Sequence, residues 1–299
     1  MPINPRLPAL SFSDANCMAS RYLLYKIALT MVAFAANSVL CRIALKGGYI
    51  DPISFSNLRL FSGALVLLPL LIRHRNGRPT RVHLINSCYL LIYAVFFSIA
   101  YIHLDAGSGA LLLFGAVQLA MVSVGLWRGE RLSPARIVGI VLAVVGIAVL
   151  LLPGASAPPL YSALLMIIAG LAWAAYTLSG KRSAAPVLAT AWNFLLALPL
   201  ALILLPFNSA SLHLSPEGVT LGILSGAVAS AGAYSLWYAI LPQLESVTAS
   251  TVQLSVPCLA SLGGVIFLGE ALSLRIVLAT LVVLTGILIV IRRPAVVKR

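Results

Sequence analysis

The sequence predicts an all-α integral membrane protein, with ten transmembrane helices arranged as two inverted five-helix repeats. Three observations lead there. Of the 299 residues, 61% are hydrophobic and 9% charged, with a mean hydropathy of +1.04, whereas a soluble domain is about one-quarter charged. The apolar residues gather into ten runs, each near the roughly 20 residues that a spanning helix needs, which leaves about 100 residues for all tails and connections. That is too little for a sizeable soluble domain. The two halves of the chain also share short motifs at a nearly constant offset.

Taken in order between charged or Pro/Gly breaks, the first five runs cover residues 22–45, 52–72, 82–103, 107–126 and 134–152. The second five cover 160–180, 186–206, 218–241, 246–268 and 273–291. Residues 1–20 are polar and proline-containing and are expected to form a cytoplasmic tail. The first run starts too late and runs too long for a cleaved signal peptide, so it reads as a retained span. The repeats are expected at 21–153 and 159–292, with a basic cytoplasmic tail at 293–299. The third-to-fourth and eighth-to-ninth connections are the shortest.

The formal charge of +13 invites a nucleic-acid partner, but Lys and Arg lie in short connections rather than on one face or tail. In a membrane protein such charge reports topology. With ten spans, sixteen basic residues share one side: Arg6, Arg21, Lys26, Arg73, Arg75, Arg78, Arg81, Arg128, Arg131, Arg136, Lys181, Arg182, Arg292, Arg293, Lys298 and Arg299. Arg42, Lys46 and Arg275 lie on the other, and Arg59 falls within span 2. The bias places both termini in the cytoplasm.

Gly129-Glu130-Arg131-Leu132-Ser133 matches Gly269-Glu270-Ala271-Leu272-Ser273 at an offset of 140, which Gly146 and Gly286 keep. Tyr101-Ile102-His103-Leu104 matches Tyr238-Ala239-Ile240-Leu241 at 137, and Phe34-Ala35-Ala36-Asn37 stands opposite Trp173-Ala174-Ala175-Tyr176. With five helices per repeat the second copy is inverted. That is a common build for alternating access, with the binding site between the halves.

Several of these residues resemble the drug/metabolite transporter superfamily with two EamA-type repeats. They are Asn37, the Asp51-Pro52 turn, Arg59 followed by Leu60-Phe61-Ser62-Gly63, Trp173-Ala174-Ala175-Tyr176 and the two Gly-Glu pairs. The resemblance covers nearly the whole chain. It departs where Phe114-Gly115-Ala116-Val117 stands opposite Pro257, a position that often carries proline in that family. It implies a multi-pass protein of a bacterial inner membrane, and the aromatic interior resembles the amino-acid exporter branch, aromatic amino acids included.

No catalytic carboxylate pair, HExxH motif or Ser/His/Asp set is present, so no enzyme is expected. Neither the histidines nor Cys17, Cys41, Cys88 and Cys258 form a metal or disulfide pattern, so no cofactor or metal is expected. The seven acidic residues all fall in tails or connections. Ion-coupled carriers commonly hold a carboxylate within the membrane, so a uniporter is the reading. Glu130 and Glu270 each stand near the start of a following helix, where a carboxylate accepts free N–H groups. Arg59, seven residues into span 2, is about 10 Å along the helix. It can snorkel, or it can neutralise a substrate carboxylate or backbone carbonyls. The family motif carries this arginine across branches with different substrates, which favours a structural or gating role. Pro257 is expected to kink span 9.

The remaining signal is an aromatic and polar stripe. Ser230, Tyr234 and Tyr238 recur every four residues, with Trp237 beside them. Their repeat mates are Tyr93, Phe97 and Tyr101. Trp173, Tyr176 and Thr177 join from span 6, Asn37 with Phe34 and Ser38 from span 1, Gln253 with Ser250 from span 9, and Phe114 and Gln118 from span 4. Buried amides and hydroxyls turn away from lipid, and Tyr and Trp combine contact area with a hydrogen-bonding tip. Such a lining suits a small zwitterion with an apolar side chain. Aromatic residues also belt membrane interfaces, and Ser, Thr and Gln also join helix to helix. Depth favours Trp173, Tyr176, Asn37, Tyr234 and Gln253 for the cavity. Spans 5 and 10, with Gly139, Gly146, Ala279 and Gly286 as close-packing positions, are expected at the periphery.

The function expected is export of small metabolites, above all amino acids, by a monomer or weak homodimer in contact with membrane lipid and with no nucleic acid. The rivals are an exporter of drug-like hydrophobic cations, and a channel or non-transporting scaffold.

Overall fold

A computed structural model describes residues 12–74, 78–129, 133–151, 158–181, 183–206 and 212–291. Among these the chain forms twelve α-helical segments. In the first half they are α1 (Phe12–Lys46), α2 (Pro52–Arg73), α3 (Arg81–Ala100), α4 (Ala106–Trp127) and α5 (Pro134–Leu151). In the second they are α6 (Leu160–Gly180), α7 (Pro186–Leu202), α8 (Pro216–Gly226), α9 (Ala233–Ile240), α10 (Ser246–Gln253), α11 (Val256–Leu268) and α12 (Leu274–Ile291). The chain is an all-α membrane protein. Among the described residues seven helices are long and apolar enough to cross a bilayer, and shorter apolar helices at Ile137–Gly146, Pro186–Leu202 and Leu274–Gly286 stand where expected spans 5, 7 and 10 fall. Large apolar side chains point outward, Phe61 at 55% exposure and Phe267 at 71%; lipid gives them a solvent that water would not.

Local chemistry sets the helix ends. Asp51 caps α2 by accepting the Ser54 N–H at 2.8 Å, with Pro52 in the first turn, where its missing N–H costs nothing. Ser215 and Pro216 repeat the device at α8, with Ser215 Oγ accepting the Gly218 N–H at 3.1 Å. The two halves also stop a helix in the same way. Gly129 after α4 and Gly269 after α11 have φ of +86° and +62°, a left-handed conformation that glycine adopts without a Cβ penalty.

The packing keeps its pattern when the halves are exchanged. α3 lies on α6 and α7, as α8 lies on α1 and α2. α4 lies on α6 as α11 lies on α1, while α2 with α7, α4 with α11, and α5 with α12 pair across the halves. Gly146 allows the close approach of α5 to α12: a Cβ there would stand 2.9 Å from the Ala279 carbonyl oxygen.

Three elements differ from the sequence expectation. α1 begins at Phe12 instead of residue 22, because Asp14 to Arg21 hold no proline or glycine to stop the helix. Span 8 is interrupted by a π-helical stretch at Ala227–Gly232 between α8 and α9. Span 9 is broken between Gln253 and Val256, so Pro257 sits in the first turn of α11, at a break in the helix.

A polar-aromatic interior between a vestibule and a clasp

Arg59, seven residues past Pro52 in α2, is 1% exposed. It neither snorkels nor binds backbone carbonyls. Its Nε donates to Ser230 Oγ at 2.8 Å and its Nη2 to the Tyr93 hydroxyl at 3.0 Å, and Nη2 also donates to the Tyr234 hydroxyl. The guanidinium carbon lies 4.9 Å from the Tyr93 ring centre and 5.1 Å from that of Phe97. Asn37 extends the network, donating from Nδ2 to Tyr93 at 3.3 Å and accepting from Ser225 at 2.6 Å. Helices from both halves approach closely here because Gly226 of α8 leaves room for the Arg59 carbonyl. The π-stretch supplies Ser230, and such stretches recur at functional sites.

Beside this network Phe34 is a hub. Its ring centre lies 5.3 Å from Trp173, 5.8 Å from Tyr234, 5.9 Å from Trp237 and 6.4 Å from Phe114. Trp173 also packs on Tyr93 at 5.1 Å and Tyr234 at 4.7 Å, and its indole N–H donates to Gln253 Oε1 at 2.7 Å. The rings fill the interior, yet several polar atoms within it have no hydrogen-bond partner: Arg59 Nη1, Thr177 Oγ1, Trp237 Nε1, Asn193 Oδ1 and Gln118 Oε1. Buried polar groups are rarely left so.

At one end of the bundle, where α3 and α7 begin and α4, α6 and α9 end, a vestibule of about 670 Å³ opens. Arg78 and Arg128 stand at it with His83, Asn86 and Trp192. Tyr238 forms part of its wall, held by a bond from its hydroxyl to the Tyr176 carbonyl at 2.8 Å and by ring stacking on Tyr176 at 4.8 Å.

The opposite end is fastened. Arg42 of α1 donates from Nε to Glu270 at 3.0 Å, from Nη2 to Asp105 at 3.2 Å, and from Nη1 to the carbonyls of Tyr101 and Ile102 at 2.9 and 2.8 Å. Glu270 Oε2 also accepts the Ala106 N–H at the start of α4, at 2.9 Å. The crevice beside this clasp holds about 10 Å³, barely room for one water molecule. Nearby, Ile50 pairs with Leu214, and Asp51 N–H bonds the His213 carbonyl at 3.1 Å.

The expected site residues therefore fall into separate groups. Asn37, Tyr93, Phe97, Ser230 and Tyr234 surround Arg59. Phe114, Trp173, Tyr176, Trp237 and Gln253 lie with Phe34, and Thr177 is buried. Gln118 instead bonds Thr251 at 3.5 Å, and Tyr238 faces the vestibule. Tyr101 lies at the clasp end, its hydroxyl donating to the Ala106 carbonyl at 3.2 Å. Glu270 bonds the start of α4 rather than its own following helix, whose first turn is capped by Ser273 through the Ile276 N–H at 3.2 Å. The left-handed turn at Gly269 lies between Glu270 and α11. Glu130 lies outside the described residues. Sequence reasoning missed Arg42, counted with the connections although it lies within span 1 as drawn and is 6% exposed. A charge inside an apolar run was the available signal. It also missed Phe194, whose ring lies 5.9 Å from Tyr234.

Comparison with known proteins gives concordant results. The model of the EamA-like transporter family matches residues 22–152 and 160–292. An uncharacterized protein of Pseudomonas aeruginosa is 50% identical over 275 residues, covering 92% of this chain and 96% of its own. A probable terminal-alkyne amino-acid exporter of Streptantibioticus cattleyicolor is 28% identical over 82% of this chain and 85% of its own. The threonine/homoserine exporter of Escherichia coli is 36% identical over 51% of this chain and 52% of its own. A solved crystal structure, 18% identical, aligns with a TM-score of 0.66 over 89% of this chain and 99% of that one, a likeness of fold.

Proposed function

The chain belongs to the EamA-like transporter family, and on that premise we propose that it exports small metabolites, most of all amino acids, by alternating access as a uniporter. The observation that carries the reading is the polar-aromatic interior between the two halves, with a vestibule at one end and the Arg42 clasp at the other. A bundle open as a vestibule at one end and fastened at the other suits alternating access. The vestibule end carries Arg78, Arg128 and Lys181, so the positive-inside rule assigns it to the cytoplasm, with both termini. The described conformer then faces inward, with ten spans in two inverted repeats at 21–153 and 159–292.

Two relatives are named as exporters of amino acids, and the interior suits that class. Tyrosine and tryptophan rings offer apolar surface, while hydroxyls, amides and Arg59 offer polar contacts. A drug-like cation is disfavoured by the buried arginine. Among the described residues, Asp51, Asp105, Glu217, Glu245 and Glu270 lie at helix ends, away from mid-span, where ion-coupled carriers commonly hold a carboxylate, which favours uniport.

Counterflow in liposomes tests the proposal, with purified protein, unlabelled amino acid inside, a trace of labelled amino acid outside and no ion gradient. Transient accumulation of label is expected. Flux without saturation or counterflow means a channel, and no flux with any amino acid removes the amino-acid reading. A change of internal pH proportional to flux removes uniport.

A further inference from the structure

Arg59 is a buried cation within the membrane helix α2, and among the described residues it has no carboxylate partner. Asp105 and Glu270 pair with Arg42 at the clasp end. The neighbours of Arg59 are hydroxyls and ring faces. Its Nη1 has no hydrogen-bond partner although it is buried. A buried charge without a counter-charge is costly, and within a membrane such residues serve ion or substrate pathways. A guanidinium presents paired N–H groups in a planar fork that matches a carboxylate, and that pairing is stronger than a bond to a neutral hydroxyl.

Resting on the reading of the chain as a carrier of zwitterions, we propose that Arg59 is the subsite for the substrate's carboxylate. Nη1 and Nη2 grip its two oxygens. The Tyr93 and Tyr234 hydroxyls accept from the Nη2 edge, which the carboxylate would share or take. Tyr238 of the vestibule wall and Tyr234, bonded to Arg59, lie one turn apart on one face of α9, and the π-stretch before it carries Ser230 against the guanidinium Nε. Asn37, bonded to Tyr93, holds the hydroxyl that must yield.

The test uses benzoate and its neutral isostere benzamide on the purified full chain, read by thermal stability and tryptophan fluorescence. Wild type is expected to respond to benzoate and much less to benzamide. Arg59→Gln is expected to lose roughly 10- to 100-fold in benzoate affinity, the range for a hydrogen-bonded charge, with partial recovery in Arg59→Lys. Tyr234→Phe retains the arginine and removes a competing hydroxyl, so its benzoate affinity is expected to rise while the empty protein becomes less stable. A structural cross-link would lose stability without that gain. Equal binding of benzoate and benzamide, or wild-type benzoate affinity in Arg59→Gln, overturns the proposal. Where Arg59→Gln does not fold, unchanged or weaker benzoate affinity in Tyr234→Phe overturns it. Benzoate preference without counterflow of any amino acid removes the amino-acid reading and leaves the subsite. Counterflow of amino-acid methyl esters at the rate of the amino acids removes the subsite and leaves the carrier.

Discussion

Arg42 and Glu270 stand 228 positions apart in the chain and meet at 3.0 Å, with side chains 7% and 6% exposed. Their pairing ties α1 of the first half to the end of α11 in the second. Asp105 joins them at 48% exposure, so its share is screened by solvent.

Removing one partner of a buried pair leaves the other uncompensated, at about 3–5 kcal/mol. Glu270→Gln is therefore expected to lower the melting temperature in detergent while still accepting the Ala106 N–H. Arg42→Ala is expected to cost more, since four acceptors lose their donor. An unchanged melting temperature in both would show that the clasp contributes nothing to the closed end.

Trp173 touches Phe34, Tyr93, Tyr176 and Tyr234 and bonds Gln253. Trp173→Ala is expected to cost about 3–5 kcal/mol and to abolish counterflow. Trp173→Phe keeps a ring but orphans Gln253 Oε1, at about 1–3 kcal/mol. Denaturant titration of the two variants separates ring packing from the hydrogen bond, and equal losses would contradict this division.

Gly180 lies under the Tyr238 ring, where an added Cβ would come within 2.7 Å of Cε2. Gly180→Ala is expected to destabilise by about 1–3 kcal/mol through overpacking. In a Tyr238→Ala background the alanine has space, so the penalty should vanish. A double-mutant cycle with no coupling would refute the contact as its source.

The break between α10 and α11 places Pro257 where a continuous helix would need its N–H. Pro257→Ala is expected to slow counterflow with little change in the amount of folded protein. Transport at the normal rate would show that the break is not needed for movement.

Much of the architecture is legible locally. Apolar runs, the Asp51-Pro52 start and the Gly129 and Gly269 stops mark helices, because spanning length, capping and left-handed backbone each depend on a few adjacent residues. The four-residue spacing of Ser230, Tyr234 and Tyr238 also brings inward residues to notice. It does not reveal the π-stretch, which lies in a run of small residues whose side chains carry little periodic signal. Nor does it show that Tyr101 leaves the interior for the clasp end while its repeat mate Tyr238 faces the vestibule.

The sequence by itself determined an all-α membrane protein with a duplicated motif pattern and a polar-aromatic interior face, since hydropathy and helical period act over short distances. Only the tertiary structure decided which charges are satisfied. Arg42 and Arg59 both sit in apolar helices, yet one is neutralised by Glu270 and Asp105 and the other, among the described residues, is held by hydroxyls and ring faces. Partners for a buried charge come from wherever the packing brings an acceptor, and no local pattern records that distance.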